Sequence, residues 1–68
     1  MMMQIEIERE EDGRFIGEVP GLPGVLAYGP SPEKTRRNIE ALALRVLADR
    51  IEHREPVPPP VAELFETD

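Results

Sequence analysis

The sequence predicts an α+β fold: one small two-layer domain, an antiparallel β-β-β sheet covered by one long helix. Three observations carry that prediction. The stretch from Met3 to Glu10 alternates, with Met3, Ile5 and Ile7 set between polar neighbours. Two Pro/Gly clusters, Pro20–Gly24 and Gly29–Pro32, bracket the short apolar run Val25–Tyr28. From Pro32 to His53 the chain consists mostly of strong helix formers, with no Gly or Pro after Pro32.

Each element has a local cause. In the first strand Met3, Ile5 and Ile7 point one way and Gln4, Glu6, Glu8 and Glu10 the other, the period-two pattern of a half-buried strand. Glu11-Asp12-Gly13 is a turn with Gly available for positive φ, so Arg14–Val19 returns as the second strand of a hairpin. On it Phe15, Gly17 and Val19 share one face, with Ile16 and Glu18 on the other. Pro20 and Pro23 lack amide donors and break the ladder, and Leu22 between them is expected to plug the core. Val25–Tyr28 is then the third strand.

Ser31 is placed to cap the helix, with Pro32 at its first position and Glu33 at the positive end of its dipole. Lys34 stands where a capping box needs Glu or Gln, so that motif is incomplete. Ile39, Leu42, Ala43, Val46 and Leu47 form an apolar stripe, widened by Leu44, Ala48 and Ile51. A helix from Pro32 to His53 runs about 33 Å, longer than three short strands need to cover them. The wide stripe therefore predicts a second surface, and self-association is expected. Pro56-Val57-Pro58-Pro59-Pro60 ends the helix in a polyproline II spacer, and Val61–Glu66 is read as a short C-terminal strand. Residues 1–68 are thus a single domain, with a core over 3–54 and a Pro-rich segment and tail over 55–68.

Composition narrows the function. A 68-residue chain buries only about 60% of its unfolded surface. With no cysteine and one histidine, neither disulfides nor a thiolate or imidazole metal site can reinforce the fold. The net charge of −6 disfavours direct nucleic-acid binding, which needs clustered Lys and Arg, and suits a basic protein partner. No apolar run is long enough to span a bilayer, and MMMQIEIERE lacks the basic and apolar regions of a signal peptide. A cytoplasmic protein is the expectation.

Few side chains are candidates for chemistry. Glu6, Glu8 and Glu10 are predicted on one strand face, with Glu11, Asp12 and Glu18 nearby. Three readings are open: a solvated face, a patch that docks a basic partner, or carboxylates for metal-dependent catalysis. The last would need acids converging from separate elements, whereas these lie mostly along one strand, about 7 Å apart at i and i+2. His53 sits where a cationic imidazole favours the helix C-terminus. Arg36, Arg37, Arg45, Arg50 and Arg54 are interleaved with acids as surface pairs. Arg36-Arg37 is the one locally basic spot, near the positive helix end. No Gly-rich loop leads into a phosphate-binding helix, so no cofactor or catalytic residue is expected.

Read as one unit, GRFIGEVPGLPGVLAYGPSPEKTRRNIEALALRVL resembles the HicB-like antitoxin family of the UPF0150 type. That family's pattern is an aromatic strand, a Pro-x-Leu-Pro-Gly turn, a short strand, and a Gly followed by Ser or Thr opening an amphipathic helix with an early Asn. Phe15, Pro20, Leu22, Pro23, Gly24, Gly29, Ser31, Glu33, Asn38 and Ile39 stand at those places. Departures are Val25 where Cys is frequent, Pro30 for a polar residue, and Lys34-Thr35 for Glu-Ala. The resemblance implies a partial RNase H-like fold without the nuclease's carboxylates. It also implies a non-enzymatic role: binding and neutralising a small basic HicA-type mRNA-cleaving toxin by covering its active site. Many such proteins carry a C-terminal DNA-binding domain; the expectation for this chain is the short form without one. Glu6, Glu8, Glu10 and Glu18 are expected partner contacts on charge and periodicity alone. Beside this stand a solitary descendant of the family, a residual RNase H-like metal-dependent nuclease, and a purely structural homo-oligomer.

Overall fold

The computed structural model describes residues 2–67. Strand β1 is Glu6–Arg9, β2 Phe15–Glu18 and β3 Leu26–Gly29; helix α1 is Pro32–Glu52 and the single-turn α2 is Pro59–Ala62. The strands form one antiparallel sheet in the order β1-β2-β3, and α1 packs on one side of it, mainly over β3 and β2. This is the predicted two-layer α+β arrangement. The strands are shorter than the alternation suggested: Met3 and Ile5 keep their inward sense, half-buried against the core, ahead of the first ladder residue.

Register decides which residues face the helix. Ile7 pairs with Gly17, which pairs with Ala27, and Arg9 pairs with Phe15, which pairs with Gly29. These rows form the helix side. The hairpin loop closes as sequence chemistry predicts, with Gly13 N donating to Glu10 O (3.0 Å), Glu10 N to Arg14 O (2.7 Å) and Gly13 at φ +92°.

The link from β2 to β3 is itself part of the core. Two successive turns, each with Pro at its second position, are closed by Leu22 N to Val19 O (2.8 Å) and Val25 N to Leu22 O (3.1 Å). Gly24, at φ +88°, supplies the positive φ of the second turn. The spacing turns Val19, Leu22 and Val25 inward, and Leu22 is wholly buried, the expected plug. These three join Ile39, Ala43, Leu47 and Val61 in one apolar cluster.

Helix α1 starts as predicted. Ser31 has extended dihedrals and its Oγ accepts from Lys34 N at 3.2 Å, with Pro32 in the first turn. The helix then comes unusually near the sheet. A Cβ on Gly29 would lie 2.6 Å from Thr35 Oγ1 and 2.9 Å from Thr35 N, and one on Gly17 would lie 3.0 Å from Thr35 Cγ2. Thr35 is fully buried; its hydroxyl donates to Ser31 O at 2.7 Å, so no polar atom is stranded. Asn38 Nδ2 donates to Tyr28 O at 2.8 Å, joining the helix to β3. At the other end Arg54 takes a left-handed conformation (φ 58°), while Arg54 N donates to Ile51 O and Glu55 N to Arg50 O. This is the Schellman pattern, made without its usual glycine.

The expected strand over Val61–Glu66 is not formed. Pro58 keeps polyproline dihedrals (φ −59°, ψ 148°), but the chain then turns into α2, with Val61 N and Ala62 N donating to Pro58 O. Pro59 and Pro60 explain the outcome: their fixed φ suits a helical first turn, whose amides need no intrahelical partner. Val61 is buried in the core, whereas Leu64 and Phe65 are exposed, so the tail is anchored through one residue rather than through a ladder.

Replacing Gly29 by Ala should cost about 2–3 kcal/mol in urea denaturation. The paired Gly29→Ala/Thr35→Ala variant should stay destabilised, because the Thr35 backbone nitrogen would still meet the new methyl group. Ser31→Ala should cost about 1 kcal/mol. Equal stability of Gly29→Ala and the parent would refute the close approach.

Candidate functional site

With α1 on one side, the even-numbered strand residues form the other face, and no element among the described residues packs on it. One row runs Glu6–Glu18–Leu26 and the next Glu8–Ile16–Tyr28. Glu6, Glu8 and Glu18 are exposed, and Glu6 and Glu18 are direct cross-strand neighbours. Like charges placed opposite each other on a sheet destabilise it. None of the three glutamates has an ion-pair partner among the described residues. Glu10 lies past the end of β1, half-buried, with its backbone engaged in the hairpin loop. Of the four predicted contacts the fold thus gathers three on one face and sets the fourth at its margin.

Between and beside the acids lies an apolar strip that the sequence reading did not assemble. Ile16 occupies the middle strand, half-buried, and Leu26 and Tyr28 on β3 are 43% and 44% exposed. The signal was available in their shared even parity with Glu18, once the register of β3 was set. Beyond Tyr28 the Arg14 guanidinium stands 4.5 Å from the ring centroid, a cation–π contact. Its Nε donates to Asp12 Oδ2 at 2.7 Å, and Arg14 N donates to Asp12 Oδ1 at 3.0 Å. These two bonds hold the Asp12 carboxyl below the ordinary carboxylate range, the backbone bond being the larger cause. The positive charge at this end of the face is thereby paired and fixed in place.

The other candidates have local roles. Arg36 Nε reaches Glu40 Oε2 at 3.4 Å as an exposed i,i+4 pair. His53 Nδ1 lies 2.8 Å from Asp49 O and 3.3 Å from Asp49 Oδ1, contacts within the last turn of α1. Among the described residues no three acidic or histidine side chains are grouped so as to hold a metal ion. Nor is any helix long and apolar enough to cross a membrane. What the open face offers is a shallow platform: glutamates along β1 and the end of β2, with exposed apolar side chains toward β3. That layout suits a flat contact with cationic groups more than enclosure of a small molecule.

The family model described as UPF0150-like matches residues 1–58. No curated protein and no solved structure matches.

Because the folded-state acidity of Asp12 is strengthened, its contribution is present above the ordinary value of 3.8 and is lost as pH falls through the lower folded value. Thermal melts of Asp12→Asn should therefore show a smaller loss of stability from neutral to acid pH than the parent. Identical slopes would mean that the Asp12–Arg14 contacts contribute nothing to the fold.

Proposed function

Because the chain belongs to the UPF0150-like family, we propose that it is a non-enzymatic, HicB-like antitoxin that binds a small basic HicA-type ribonuclease toxin on its open sheet face. The observation that carries this reading is the uncovered face itself, where Glu6, Glu8 and Glu18 stand without cationic partners beside exposed Leu26 and Tyr28.

The division of labour on that face follows from general interface energetics. Exposed acids attract a basic partner over roughly a Debye length, about 8 Å at physiological salt, and so act on the association rate. A partner cation arriving between Glu6 and Glu18 also relieves their mutual repulsion. Affinity comes from desolvating the apolar strip, with Tyr28 as the aromatic anchor. The basic surface of an RNA-cleaving toxin is the surface that must meet its phosphate backbone. A protein that covers it with carboxylates competes directly with the substrate, and inhibition needs no catalytic step by this chain.

A tagged copy should recover a small basic protein in stoichiometric amount from native cell extract, and that complex should fail to cleave RNA. Glu6→Lys/Glu8→Lys should slow association at least roughly tenfold and flatten its salt dependence, while Tyr28→Ala should mainly speed dissociation. Recovery of only the protein itself would overturn the proposal, as would unchanged toxin binding by the double charge reversal for the assigned face.

A further inference from the structure

Of the two edges of the sheet, one is engaged and the other open. On β3, Tyr28 O points away from β2 and accepts from Asn38 Nδ2 at 2.8 Å, so the helix already uses an outward carbonyl of that edge. On β1, Glu10 N donates toward the β2 side, to Arg14 O at 2.7 Å. Successive residues of an antiparallel ladder turn their backbone groups to opposite sides, so Ile7 and Arg9 present N–H and C=O outward. No described element lies beside them. The helix side of this edge is hollow, because α1 sits mainly over β3 and β2. A cavity of about 470 Å³ opens there, lined by Met3, Ile5, Leu44 and Leu47, and Leu44 is 67% exposed.

We propose that the open β1 edge takes an extended segment of a basic partner as a fourth strand. Ile7 and Arg9 hold it by backbone hydrogen bonds, the sheet-edge mode of peptide recognition. Alternation then assigns its side chains. Those on the helix side are apolar and enter the cavity beside Leu44. Those on the other side are Lys or Arg and stand next to Glu6 and Glu8, which have no cationic partner among the described residues. Charge also rejects a second copy of the chain. Two-fold pairing of β1 with itself is antiparallel, and around Ile7 it sets Glu6 against Glu8 of the second copy, twice. A slip of two residues either way sets Glu6 against Glu6 or Glu8 against Glu8. Such facing acids guard an edge against its own copy and leave it open to an opposite charge. The proposal rests on the reading of a basic partner and adds how that partner is held, by its backbone as well as by its charge.

The test is amide hydrogen exchange of the full chain, with the synthetic peptide Lys-Val-Lys-Val-Lys-Val-Lys as the probe. The peptide should slow exchange at the Ile7 and Arg9 amides at least about tenfold, and its glutamate-for-lysine counterpart should not. Arg9→Pro removes one outward donor and leaves the β1–β2 ladder intact. It should bind the peptide about tenfold more weakly than Arg9→Ala, which loses the same side chain and keeps the donor. Circular dichroism checks folding, and the exchange measurement on the parent needs no variant. If Glu6→Lys/Glu8→Lys abolishes binding while Ile7 and Arg9 stay unprotected, or if Arg9→Pro and Arg9→Ala bind alike, the edge proposal is overturned and the acidic-face reading stands. Absence of peptide binding would also overturn it, whereas recovery of a basic protein from extract bears on the underlying reading alone.

Discussion

The seating of α1 on two glycines is the constraint from which the other features follow. Gly17 and Gly29 leave the helix side of β2 and β3 without side chains at the points where Thr35 and Ile39 descend. With Thr35 bonded to Ser31 O and Asn38 to Tyr28 O, the first turns of the helix are held in both height and rotation. Once that turn is fixed, the 3.6-residue period aims Ile39, Ala43 and Leu47 at the core and leaves Leu44 and Ile51 outside. The strand pleat likewise commits Ile7, Gly17 and Ala27 to the helix and Glu6, Glu8 and Glu18 to solvent.

Very little core is available to make this stable. Among the described residues seven apolar side chains are buried, and three of them come from the tandem turns between β2 and β3 rather than from regular structure. Four of the chain's eight prolines lie between β2 and the first turn of α1, where their fixed φ lowers the entropy lost on folding. The turns also bury Val19, Leu22 and Val25 in one cluster with Ile39, Ala43 and Leu47 of the helix. A segment that reads as mere punctuation is therefore as much a packing element as any strand.

Much of this was legible in the chain. The alternation of β1, the Glu11-Asp12-Gly13 turn, the Leu22 plug and the Ser31 cap each rest on a local rule, and the fold obeys all four. The strand expected over Val61–Glu66 gives way to α2 because Pro59 and Pro60 start a helical turn, and Leu64 and Phe65, the apolar residues available to that strand, stay exposed. Thr35 looked like a departure from the family's helix, yet it is the residue fitted between the two glycines. Glycines inside strands do signal close approach, but which element approaches is a tertiary fact. The acidic face was visible from parity alone; its apolar half needed the register that puts Ile16 beside Tyr28 and Glu18 beside Leu26.

The open sheet face, with Glu6, Glu8 and Glu18 exposed beside Leu26 and Tyr28, is the surface proposed to meet a basic partner. The most direct test is a nuclear magnetic resonance titration of isotope-labelled protein with the small basic protein that it recovers. Salt-reversible shift changes are expected at the amides of Glu6, Glu8, Ile16, Glu18 and Tyr28, with α1 little affected. Changes confined to α1 or to the Pro-rich segment, with the strands silent, would contradict it.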